Sequence, residues 1–133
     1  MPGIDESLLE TMRLPGTRGA SVVDWISGLA LGTVGEAPGG DMEATAAETA
    51  ELARFAAESS ALAPAGGAGT GTDKEQPVQD VIITNTDSYH LLRFVSTDFD
   101  STVFLHLWLD RDEGNLALAR IRLADIADRL VLG

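Results

Sequence analysis

Residues 104–109 read FLHLWL and residues 81–84 read VIIT. Side chains of a strand alternate between its two faces, so bulky apolar residues at both parities leave no face for water. Such strands need cover on both sides, and this requirement limits the chain more than any other feature. Helices on both faces of one mostly antiparallel sheet meet it. With 133 residues, 44% of them apolar, the chain has material for a single domain with a real core.

The remaining patterns supply the helices. In residues 4–13, Ile4, Leu8 and Met12 recur on one helical face, and Pro15 and Gly16 end the segment. Two short strands, 18–24 and 28–34, follow around the turn DWISG. Residues 41–62 contain neither glycine nor proline and are rich in alanine, which predicts a long helix with Asp41 as its N-cap. One line along it is Met42, Ala46, Ala50, Ala53 and Ala57; a second is Leu52, Phe55, Ser59 and Leu62. Strands are predicted at 78–84, 88–96 and 102–109, and a last helix at about 113–131, with an apolar stripe through Leu116, Ala119, Leu123, Ile126 and Leu130. Asp112 and Glu113 suit the start of that helix.

Charge and composition exclude several functions. Twenty-one acids against nine bases give a net charge of −12, which repels nucleic acid and anionic membrane surfaces. The absence of cysteine removes disulfides, thiolate nucleophiles and zinc–thiolate sites. No apolar run approaches a membrane span, and the N-terminus MPGIDESLLE lacks the pattern of a secretory signal, so the expected location is the cytoplasm.

Motifs that could carry chemistry are sparse. The stretch APAGGAGTGTDKEQP places Gly66 and Gly71 as in a phosphate-binding loop. Thr72 stands where that loop needs lysine and Asp73 where it needs a hydroxyl, and a helix precedes instead of a strand. It reads as a flexible loop over 64–77. His90 and His106 fall close to opposite each other if their strands form a hairpin. They read as sheet histidines satisfied locally; a metal pair would need further ligands, and an enzyme built on them is a third reading. Asp110, Asp112 and Glu113 read as capping acids, and Asp98 and Asp100 as a solvated loop tip. Trp25, in a turn, is either a lid over the sheet edge or an interface anchor. No cofactor is expected.

Several of these segments together resemble the Roadblock/LC7 family. In LPGTRGASVVDWISGLALG, Pro15, Gly16, Gly19, Ala20, Val23 and Gly28 fall on the family's opening frame. Asn115, Leu116, Leu118 and Arg120 match the start of its last helix. The resemblance implies a profilin-like α/β/α sandwich, order α-β-β-α-β-β-β-α, with a five-stranded, mostly antiparallel sheet in one domain over 1–133. It implies a homodimer made by the long helix and the third strand, here Met42, Ala46, Ala50, Ala53, Ala57, Val81 and Ile83. It further implies a non-enzymatic regulator or scaffold for a small Ras-like GTPase, with Arg18, Trp25 and Arg111 as candidates for partner contact. The competing expectation is a small-ligand sensing module, which would need a sizeable pocket between sheet and helix.

Overall fold

The computed structural model describes residues 3–65, 77–95 and 102–130. The elements are α1 (Ile4–Met12), β1 (Thr17–Asp24), β2 (Leu29–Gly35), α2 (Met42–Glu58), β3 (Asp80–Thr84), β4 (Ser88–Val95), β5 (Val103–Asp110) and α3 (Leu116–Arg129). All five strands form one antiparallel sheet in the order β2-β1-β5-β4-β3. The expected order and sheet class are both present. The glycine-rich stretch, at 66–76, and the tip of the β4–β5 hairpin lie outside the described residues.

Strand β5 sits at the centre, and its alternation sorts the core into two clusters. Val103, Leu105, Leu107 and Leu109 join Leu8 of α1 and Ala119, Leu123 and Ile126 of α3. Phe104, of the opposite parity, joins Leu92 and Phe94 of β4 and the alanines of α2. The sheet is therefore covered by α1 and α3 on one face and α2 on the other, as its two-faced strands demand. Helix α2 packs chiefly on β1 and β2. The far end of that face, where Ile83, His90 and Trp108 lie, has less cover: His90 and Trp108 are half-buried and Ile83 is exposed.

Two helix boundaries differ from the sequence reading. Helix α2 ends at Glu58, not near residue 62. Ser59 turns extended and its hydroxyl donates to the Phe55 carbonyl at 2.6 Å, a local bond of the kind by which serine competes with helix continuation. A single 3-10 turn over Ser60–Leu62 follows. Helix α3 begins at Leu116, because the Asn115 side chain caps it by accepting from Leu118 N–H at 3.0 Å. The acids ahead of it serve a turn instead: Asp110 Oδ2 accepts from the Asp112 and Glu113 amides at 3.0 and 2.9 Å.

Gly16 is among the glycines that close packing requires. It has φ +82°, and a Cβ there would lie 2.5 Å from Gly114 N. The approach lets Asp110 N–H bond the Gly16 carbonyl at 2.8 Å, tying the α1–β1 turn to the end of β5.

Ala46, Ala50 and Ala53 are 2, 1 and 0% exposed within the single protomer. The expectation that they meet a second helix is thereby corrected: their methyl groups are spent on the chain's own sheet, which they let α2 approach closely. Replacing Ala53 by leucine should overpack this contact and cost roughly 1–3 kcal/mol, read as a fall in melting temperature. A variant of unchanged melting temperature that had lost only self-association would return this line to a partner.

Candidate functional site

The candidate partner-binding residues separate. Arg18 and Arg111 come together at one end of the sheet, while Trp25 lies at the other, after β1. Trp25 is 7% exposed and packs in the cluster beneath α2 with Val23, Phe94 and Phe104. Its ring has no face left to anchor a partner, so the interface reading of this residue is corrected to a core role. The turn it belongs to is held by Arg54 of α2, whose Nη2 donates to the Trp25 and Ile26 carbonyls at 2.9 and 3.2 Å. Sequence pattern offers no signal for that tie, because 29 residues separate Arg54 from Trp25.

Arg18 is the extra residue where the pairing of β1 with β5 shifts register between Thr17 and Gly19. A bulge re-aims its side chain. The guanidinium lies 3.9 Å from the centre of the Trp108 ring, a cation–π distance. Its Nη1 stands 4.0 Å from Asp87 Oδ2. Asp87 belongs to the β3–β4 turn, which Asn85 organises: its Oδ1 accepts from the Asp87 and Ser88 amides at 2.9 and 2.8 Å. Arg111 closes over the same turn, with Nη1 donating to the Asn85 carbonyl at 2.9 Å and its guanidinium 5.6 Å from the Tyr89 ring centre.

From Trp108 a row of rings crosses the sheet. His90 pairs with Trp108 across β4 and β5, and the two rings stack with centres 6.2 Å apart. His90 also stacks on His106 at 5.2 Å, and His90 Nδ1 lies 2.9 Å from His106 Nε2. One imidazole must donate and the other accept, so at least one is neutral. Burial pushes the His106 pKa down to about 3, helped by the neighbouring imidazole. Desolvation lowers His90 as well, opposed by the Asp87 carboxylate. Two neutral rings that satisfy each other form a sheet contact, in keeping with the local reading of these residues. Among the described residues, no three histidines or acids gather as metal ligands.

Of the expected interface residues, Met42, Ala57 and Val81 are half-buried and Ile83 is 42% exposed. Phe55, from the second apolar line of α2, is 70% exposed. Space between sheet and helix, lined by Ser21, Met42, Thr45, His106 and Trp108 among others, amounts to about 10 Å³. That volume holds one water at most, against the several hundred cubic ångströms a ligand site needs. No helix among the described residues is long and apolar enough to cross a membrane.

No family model and no curated protein matches this chain. Solved structures do. A structure described as MglB with tetrameric arrangement superposes with a TM-score of 0.70 at 19% identity, covering 94% of this chain and 82% of its own. A Roadblock/LC7 domain from Streptomyces avermitilis gives 0.67 at 17% identity, covering 95% and 92%. MglB of Myxococcus xanthus gives 0.64 at 18% identity, covering 84% and 72%. The chain has the Roadblock/LC7 fold.

The buried histidine imposes a pH dependence on stability. In the unfolded chain His106 titrates near its ordinary value, about 6.5; in the folded protein its pKa is lowered to about 3. The unfolded state therefore binds the extra proton between these values. This contribution is complete above pH 6.5 and is lost as pH falls toward 3, with a slope of up to about 1.4 kcal/mol per pH unit. Denaturant titrations from pH 7 to pH 4 should show that slope in the parent and a flatter one in His106→Gln. Equal slopes would remove the neutral-pair assignment.

Proposed function

We propose that this chain is a non-catalytic, homodimeric roadblock-type regulator or scaffold that engages a small Ras-like GTPase in the cytoplasm. The observation that carries the reading is the free edge of β3 in a Roadblock/LC7 fold. Among the described residues β3 pairs only with β4, and it presents Ile83 to solvent. An unpaired edge with an apolar side chain is a template for another strand. Two copies of β3 meeting antiparallel across a two-fold would double the sheet and form an isologous interface.

Helix α2 joins that interface by its outer surface. Phe55, Met42 and Ala57 supply apolar contact beside Val81 and Ile83, while Ala46, Ala50 and Ala53 hold the helix from within. The fold likeness to MglB, one structure of which is described as tetrameric, supports self-association. The GTPase assignment comes from the family resemblance in Pro15–Gly28 and Asn115–Arg120. Arg18 and Arg111 are proposed as docking residues for that partner. Both guanidinium groups are already engaged within the protomer, on Trp108 and on the Asn85 carbonyl, which suits a pre-organised contact better than a finger reaching into another active site. The narrow space beneath α2 argues against the ligand-sensing alternative.

Light scattering at micromolar concentration should return twice the protomer mass of 14.0 kDa. The pair Phe55→Glu and Ile83→Lys should return a single mass with the far-ultraviolet circular dichroism unchanged. A parent protein that is monomeric throughout would remove the dimer. A small Ras-like GTPase encoded beside this chain should bind it, and Arg111→Ala should weaken binding without changing GTP turnover at saturation. A turnover loss of about a thousandfold would make Arg111 a finger after all, and absence of any binding would end the GTPase reading.

A further inference from the structure

On the other side of the sheet, α1 and α3 leave an open cleft of about 590 Å³. Its apolar part is Leu14, Pro15, Leu118 and Ile126; its charged part is Glu10, Arg13, Arg122, Asp125 and Arg129. Three arginines thus face two carboxylates in a chain where acids outnumber bases by 21 to 9. The excess is accessible. Arg129 spends its guanidinium on Glu10 and on Asp125, the latter at 3.1 Å. Elsewhere, Arg18, Arg54, Arg93, Arg111 and Arg120 each reach an acid or a backbone carbonyl. The side chains of Arg13 and Arg122 make no hydrogen bond or ion pair among the described residues, and both are exposed. Among the described residues, the cationic side chains left unpaired therefore stand on one cleft, beside an apolar floor.

We propose that the α1–α3 cleft docks an acidic, leucine-bearing segment of a partner protein, with Arg13 and Arg122 pairing its carboxylates while Leu118 and Pro15 receive its apolar side chain. Charge complementarity selects this occupant. A net charge of −12 repels extended polyanions such as nucleic acid and anionic lipid surfaces, which must face the whole field. A short segment with a few carboxylates meets that repulsion screened beyond about 8 Å at physiological salt, while its pairs with Arg13 and Arg122 form at contact distance. The cleft is independent of the β3 edge and of the GTPase assignment, so either can fail alone.

The test uses the full chain and a fluorescein-labelled peptide of alternating glutamate and leucine pairs. Amide shifts in a nuclear magnetic resonance titration should cluster on Arg13, Leu118 and Arg122. Arg13→Glu with Arg122→Glu should weaken binding about tenfold or more. Both sites are exposed and unpaired, so the variant should still fold, which far-ultraviolet circular dichroism checks. Equal binding by the glutamine version of the peptide, shifts confined to α2 and β3, or equal affinity for inorganic phosphate would overturn the proposal. Loss of self-association in the double variant would assign the cleft to a second copy and overturn it too.

Discussion

The structure depends on β5 being buried on both faces. Val103 to Leu107 are all buried, and from there the strand supplies alternate residues to two separate cores. A strand in that position cannot be an edge, and it cannot tolerate an open face. It forces neighbours on both sides, β1 and β4, and helical cover above and below. It also sets the state of His106. An imidazole carried into that interior loses its hydration, so it stays neutral and turns to the other histidine for a hydrogen bond.

Helix α2 answers the same constraint with small side chains. Alanines at 46, 50, 53 and 56 face the sheet, so the helix lies close without needing the bulky residues that α3 uses. The outer surface is then free for other work: Glu48, Glu51 and Glu58 keep it soluble, and Phe55 breaks the charge. The same economy leaves the β3–β4 end of that face thinly covered. There the ring row from Trp108 through His90 to His106 takes the place of a helix, with Arg18 laid over its end.

Much of the fold was readable because its signals are local. Apolar residues at both parities identified β5 as a strand covered on both faces, but the same signal in VIIT belongs to β3, an edge strand with Ile83 exposed. The three-and-four spacing identified α1 and α3. The resemblance in Pro15–Gly28 reflects real packing, since Gly16 must meet Gly114. Boundaries were less readable. Ser59 ends α2 through one hydroxyl bond, and Asn115 instead of the preceding acids caps α3; which of several capping-competent residues acts depends on where the neighbouring strand delivers the chain. Site residues were the least readable. The alanine line fits a second helix or the chain's own sheet equally well in one dimension, and nothing around Trp25 says that Arg54 will hold its turn shut.

By itself, the sequence determined the class of architecture: a sheet of two-faced strands, helices enough to cover both faces, and no cysteine or catalytic constellation to suggest chemistry. Periodicity and composition are properties of neighbours along the chain, and they suffice for that. Only the tertiary structure decided which helical face is spent internally, which arginines are already paired, and which strand edge and cleft stay open. Those outcomes depend on distances between residues far apart in sequence, such as Arg18 with Trp108 or Arg120 with Asp80, and no local pattern encodes them.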